Sequence, residues 1–407
     1  MAATGRTLAL ILLTVIAAAP AAAQPAARSL AGRWDATVVV NGVAIPCRFD
    51  LTENNGSVQG SFFNGDEKVS STKGTFADGV LTLVWEQYGS TLTADVRDGE
   101  LDGKYDRRTR GLYPFRARRY TPVRVDNGAP PIAGTWKVVV NGKSEKAWRF
   151  IVRQQGGTVD AAIQRVDGDT GLLSGRYSDG SFLLSHFDGA RPMLLKVTPK
   201  SDKSLELVED AKKTYTAVRE NSAEAAAAGD PADPFAYTRM KNPDEPFHFS
   251  FPDLDGRTVS DSDARFKGKV VIATVTGSWC PNCHDEAPFL VSLYRKYRGQ
   301  GLEIVAISFE EAEQLANPTR PRAFIKQFGI QYPFLLAGEP GQLAAKIPQA
   351  ENLDSFPTMF IIGRDGKVRS VHAGYSSIAT GELYTVTTRE ITRQVQRLLA
   401  EKVKGTE

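Results

Sequence analysis

Two cysteines spaced Cys-x-x-Cys, Cys280 and Cys283 in "GSWCPNCHDEAPF" (residues 277–289), are the residues of this 407-residue chain best suited to chemistry. They stand between an apolar run, "GKVVIATVTG" (268–277), and a stretch with helical spacing, which puts Cys280 at a helix N-terminus. Unpaired backbone N–H groups and the helix dipole stabilise a thiolate there, and thiolates in such motifs titrate at about 3.5 to 7.5 instead of about 8.5. Pro281 suits the first helical turn, where no N–H is needed. Cys283, one turn on, shares the helix face, so the pair can close a disulfide in which Cys280 attacks and Cys283 resolves. Two other readings compete with a redox pair. A structural zinc site needs four ligands, whereas the remaining cysteine is Cys47 and the histidines, His186, His248, His284 and His372, lack ligand spacing. An inert structural disulfide here would close a very small loop and constrain little. Neither a metal nor a cofactor is expected.

The elements that must position this pair begin at about residue 236, where strand and helix patterns alternate. The run 268–277 reads as a strand buried on both faces, followed by a helix from about Cys280 to Tyr297. Strand "LEIVAISF" (302–309), helical "RPRAFIKQFG" (320–329), strand "YPFLLA" (332–337) and short helix "GQLAAKI" (341–347) come next. A hairpin over 358–374 turns at Asp365-Gly366, and a last helix spans about 386–403. Together these make an α/β domain with a mixed central sheet flanked by helices.

With "FSFPDLDGRTVSDSDARFKGKVVIATVTGSWCPNCHDEAPFLVSLYRKY" and "SFPTMFIIGRDGKV" in view, the chain resembles the thioredoxin superfamily over about residues 243–403. Within it the likeness is to the TlpA/ResA-like periplasmic thiol-disulfide oxidoreductases. The motifs that carry it are Trp279-Cys280-x-x-Cys283, Glu286, Pro288 and Phe356-Pro357-Thr358. The resemblance implies a thioredoxin-like fold and a cis bond before Pro357 in a loop facing the cysteines. Trp279, Phe356, Pro357 and Thr358 would then form the substrate site. It also implies that Glu286, partly buried, accepts a proton near the resolving thiol. The partners implied are protein thiols and disulfides, reduced with electrons from a membrane protein. His284 and Asp285 are read as facing solvent. Two departures stand out. Pro281-Asn282 between the cysteines leaves the redox potential unreadable by analogy. "VTGSWC" replaces the family's usual "WASWC", and its threonine is peroxiredoxin-like, but Ala273 stands where peroxiredoxins need a proline, so peroxidase activity is a secondary alternative.

The N-terminal half has a different character. Gly, Asp and Asn punctuate residues 29–220 every eight to twelve positions, with runs such as "WDATVVV", "GVLTLVW" and "SFLLSHF" between them, as in an antiparallel sandwich or barrel. "LAGRWDATVVVNG" (30–42) and "IAGTWKVVVNGK" (132–143) look like one opening strand used twice, giving tandem all-β modules at 29–122 and 131–220. Their Gly-x-Trp pairs, ending in Trp34 and Trp136, are similar to the opening of calycin barrels, so each module is either a ligand- or partner-binding unit or a structural spacer. Cys47 reads as a small buried hydrophobe of the first module. "NSAEAAAAGDPADPF" (221–235) reads as a linker to a redox domain at 236–407.

Residues 1–23 read as a cleavable signal peptide, with an apolar run shorter than the roughly 20 residues a spanning helix needs and a cleavage site after Ala23. The mature protein is therefore expected in a bacterial periplasm, where disulfides persist. With 42% hydrophobic residues and a formal charge of +3, composition excludes a disordered or strongly polybasic chain. The densest basic stretch, "DRRTRGLYPFRARRY" (106–120), reads as the solvent faces of two strands, with no nucleic-acid partner.

Overall fold

The computed structural model describes Met1 and residues 29–401, apart from 55, 124–127 and 141–144. The expected signal peptide falls outside these residues.

The first β module is one antiparallel sheet of nine strands, in which Gly32–Val40 lies between Val43–Asn54 and the returning Leu112–Arg119. Alternation drives its curl: in Val80–Trp85, Leu81, Leu83 and Trp85 point inward while the residues between them do not. The sheet curls until its edge strand Lys73–Ala77 lies against Ser57–Asn64, where the Gly74 backbone is so close to the Val58 carbonyl that a Cβ would sit 1.9 Å from it. Rings fill the interior, with Phe62 5.0 Å from Phe49 and 5.1 Å from Trp85 between centroids.

The second module repeats the plan and closes it. Gly134–Val139 pairs with Ala147–Gln155 and Lys213–Arg219, and pairing of Ala147–Gln155 with Thr158–Arg165 completes a barrel. The repeated tryptophans are fully buried. Trp34 Nε1 donates to Leu30 O (3.0 Å) and Trp136 Nε1 to Ile132 O (2.8 Å), and each ring carries a guanidinium from its module's last strand, Arg119 or Arg219. Cys47 is partly buried against the first module's core, and burial pushes its thiol pKa up.

The segment read as a linker contains a short helix, Ala223–Ala227, capped by Ser222. Lys137 Nζ of the second barrel donates to Ala225 O (2.8 Å), so this stretch is docked.

The C-terminal region is an α/β domain of the expected thioredoxin-like kind. Its strands are β1 (Val270–Thr276), β2 (Leu302–Phe309), β3 (Phe334–Gly338), β4 (Thr358–Ile362) and β5 (Val368–Ala373), in the order β3-β2-β1-β4-β5. The first three run parallel and β4 and β5 antiparallel to their neighbours. Every residue of β1 is buried, as a continuous apolar run demands. Val270 and Ile272 face α1 (Pro281–Tyr297), α2 (Thr319–Phe328) and α3 (Glu382–Ala400), while Val271, Ala273 and Val275 pack with Phe247, Phe266 and Phe360 on the other face.

Candidate active site

The central strand β1 ends at Thr276, and α1 begins after Cys280, its N-cap. Cys280 Sγ accepts from the Cys283 N–H (3.3 Å), and its thiol donates to the Phe356 carbonyl (3.4 Å). Both thiols are buried, Cys280 3% and Cys283 1% exposed. Burial pushes the Cys283 thiol well above its ordinary pKa, reinforced by Cys280 and by the charge of Glu286.

Glu286 lies one turn beyond Cys283 and is 2% exposed. Oε2 accepts from Thr274 Oγ1 (2.8 Å) while Oε1 has no hydrogen-bond partner. Burial raises its pKa to about 8, only partly offset by Thr274. The hydroxyl of Thr276 draws the Cys283 pKa down, against the effect of burial. Two threonines at alternate positions of an otherwise apolar buried strand were the readable signal for these contacts, because buried hydroxyls need partners.

The Phe356–Pro357 bond is cis, and its loop stands against the cysteines. Trp279 packs on Phe356 (5.1 Å between centroids) and donates its ring N–H to Phe309 O (2.8 Å). Thr358 is fully buried and its hydroxyl donates to Ser355 O (2.8 Å), which holds the shape of the loop.

A buried charge network beneath the turn was not legible. Glu310, fully buried, accepts from Ser278 N–H and Oγ (both 2.7 Å), from Ser308 Oγ (2.6 Å) and from Arg320 (2.8 Å). Arg320 also binds Glu311, which takes Arg110 of the first barrel at 2.7 Å.

Two expectations are corrected here. His284 and Asp285 do not face solvent, because the barrels cover them. His284 stacks on Tyr88 of the first barrel (4.2 Å, 17° between planes), its Nε2 pairs with Ser278 O (2.8 Å), and burial lowers its pKa to about 4. Asp285 takes Arg191 of the second barrel at 2.8 Å and Asn64 of the first at 3.4 Å, and burial pushes its pKa up to about 7 against the pull of Arg191. The arginines of 106–120 are not all solvent-facing either. Arg107 is buried and donates to Ala190 O (2.8 Å), joining the two barrels, and Arg110 lies over the Trp279 ring (4.6 Å). Arg116 and Arg118 are exposed, as expected. An open cleft of about 520 Å³, lined by Phe251, Leu254, Leu315 and Lys346 among others, includes none of the cysteine-site residues.

A β-sheet of this order, with a Cys-x-x-Cys at the start of α1 and a cis-proline loop opposite, defines a thioredoxin-fold redox domain. The C-terminal region is similar to the TlpA/ResA-like domains of that fold. Residues 243–371 match the model of the AhpC/TSA family. The thiol-disulfide oxidoreductase ResA of Bacillus thuringiensis (strain Al Hakam) is 34% identical over 121 residues, 30% of this chain and 63% of the relative. ResA of Bacillus subtilis (strain 168) is 30% identical over 127 residues, 31% of this chain and 64% of the relative. The chain thus spans a little under two thirds of these relatives' length. Among solved structures, a putative thiol:disulfide interchange protein DsbE from Chlorobium tepidum is 22% identical with a TM-score of 0.32, covering 40% of this chain and all of its own.

Proposed function

We propose that the protein is an exported thiol-disulfide oxidoreductase acting as a reductase of disulfides. The observation that carries this reading is the half-partnered Glu286 buried beside Cys283, at a helix start whose N-cap is Cys280. The Cys280 thiolate attacks one sulfur of a substrate disulfide, forming a mixed disulfide as the substrate's S–S bond breaks, and the departing thiolate takes up a proton. Cys283 then passes its proton to Glu286 and attacks Cys280 Sγ. This closes the Cys280–Cys283 disulfide and frees the second substrate thiol, so two electrons have moved from dithiol to substrate. Trp279, Phe356 and Pro357 frame the approach, and Thr358 holds the loop's shape. Re-reduction requires an external electron donor, for which a membrane protein is the proposed source. Export rests on the signal-peptide reading of residues 1–23, and a mature N-terminus at Gln24 in periplasmic extract tests it.

Cys283→Ser should trap mixed disulfides through Cys280, and an extract that yields no adducts would sink the proposal. Direction is read from the pair's reduction potential: near about −270 mV or below indicates a reductase, near about −120 mV a disulfide donor. The docking of both barrels on the redox domain favours a docking and shielding role for the β modules over a separate ligand-binding one.

A further inference from the structure

Three loops of the redox domain frame Cys280: the 277–282 turn, the cis-proline loop, and the 374–377 turn, whose Gly374 N–H donates to Pro357 O (2.7 Å). The second barrel covers the first and third with a hairpin tip, Val166-Asp167-Gly168. Asn282, between the two cysteines, donates from Nδ2 to Asp167 O (3.1 Å) and accepts from Arg191 (2.8 Å). The approach leaves no room for side chains: a Cβ on Gly168 would fall 2.1 Å from Asn282 Nδ2, and one on Gly374 would fall 2.4 Å from Val166 O. Buried Asp169 accepts from the backbone N–H and hydroxyl of Ser377. Arg153 donates to Ala379 O (3.0 Å) just beyond. On another side Arg110 of the first barrel closes over Trp279. What remains of Cys280 is 3% exposed.

We infer that the second β module is the substrate-selecting wall of the redox centre. The site takes a disulfide on a slender, unfolded carrier, either a low-molecular-weight disulfide or an extended chain, and rejects disulfides on folded proteins. A folded partner would need the surface that Asp167 to Asp169 already hold, so discrimination comes from steric exclusion. The inference rests on the thiol-disulfide exchange proposed above and leaves its electron balance unchanged: one dithiol oxidised for one disulfide reduced.

The test is single-turnover oxidation of the reduced full-length protein by three disulfides: oxidised glutathione, an unfolded peptide with one intrachain disulfide, and a folded protein with a surface disulfide. Closure of the Cys280–Cys283 bond is read by alkylation and mass, and each rate is divided by that of dithiothreitol with the same disulfide. At least one of the slender disulfides should exceed the folded one by about a hundredfold, and the faster of the two identifies the carrier. Equal normalised rates for all three would overturn the wall and leave the exchange chemistry standing. Closure with none would overturn both. Asp169→Ala and, separately, Arg153→Ala should each cut the selectivity by about tenfold by loosening the tip. Unchanged selectivity in either variant, with a native circular dichroism spectrum, would also overturn the wall.

Discussion

Glu286 shows how a carboxyl becomes a base for a thiol. Buried among apolar side chains with one oxygen unpartnered, it has a pKa raised to about 8, close to the range in which thiols exchange protons. The resolving step should therefore quicken as pH rises through about 8. Glu286→Gln should abolish that inflection and slow resolution by about a hundredfold, read by the lifetime of a mixed disulfide. The same burial weakens the fold. In the unfolded chain Glu286 ionises near its ordinary pKa of about 4.3, so between that pH and about 8 the folded state holds the extra proton. Stability contributed by the group is complete below the unfolded pKa and is lost as pH rises through the folded one. Glu286→Gln should accordingly stabilise the protein at pH 8 and above, by up to roughly 4 kcal/mol in urea titrations, and do little at pH 4. Asp285, its neighbour in sequence, owes its surroundings to the barrels instead, which no local pattern announces.

At the scale of elements, the dithiol depends on a buried strand stopping where a helix starts, and on what supports the turn between them. The strand and helix were readable because their periods differ: an uninterrupted apolar run for β1, and Pro281 followed by helical spacing for α1. The support was not readable, because Glu310 and Arg320 lie ten residues apart, on the loop after β2 and on α2, and pair with each other and with Ser278 only in the folded chain. Charges buried to this degree are tolerated only as a pair. Arg320→Met should leave Glu310 uncompensated and destabilise the protein by about 3 to 5 kcal/mol in urea titrations. A loss below about 1 kcal/mol would show that water reaches the network.

At the scale of the whole molecule, the barrels roof the redox centre, and His284 records their docking. Stacked on Tyr88 and bonded to Ser278 O, it is held neutral, with a pKa of about 4 against about 6.5 when free, while Asp188, Arg320 and Arg191 act on it from around the interface. The undocked or unfolded chain binds the extra proton between those values, so the docked form loses stability as pH falls from about 6.5 towards 4. Asp285 acts in the opposite sense over an overlapping range, losing stability as pH rises towards about 7, and so offsets much of the His284 effect in the parent protein. His284→Phe should keep the stacked contact and remove the destabilising contribution of His284, about 2 kcal/mol at pH 5, so that limited proteolysis of the barrels at pH 5 becomes slower than in the parent protein. Continued acid opening in that variant would assign the effect to another group.

The sequence by itself determined the redox pair, the two tandem antiparallel β modules and the α/β order of the last domain, because each is written in local terms: residue type, period and turn chemistry. Trp34 and Trp136 end up equivalently buried because the same opening strand was used twice. What only the tertiary structure decided is how these pieces meet. Arg110, Asp167 and Arg191 converge on the Cys280 turn from positions 89 to 170 residues before Cys280 along the chain, and their pairing is set by the shapes and charges of surfaces that exist only once each module has folded.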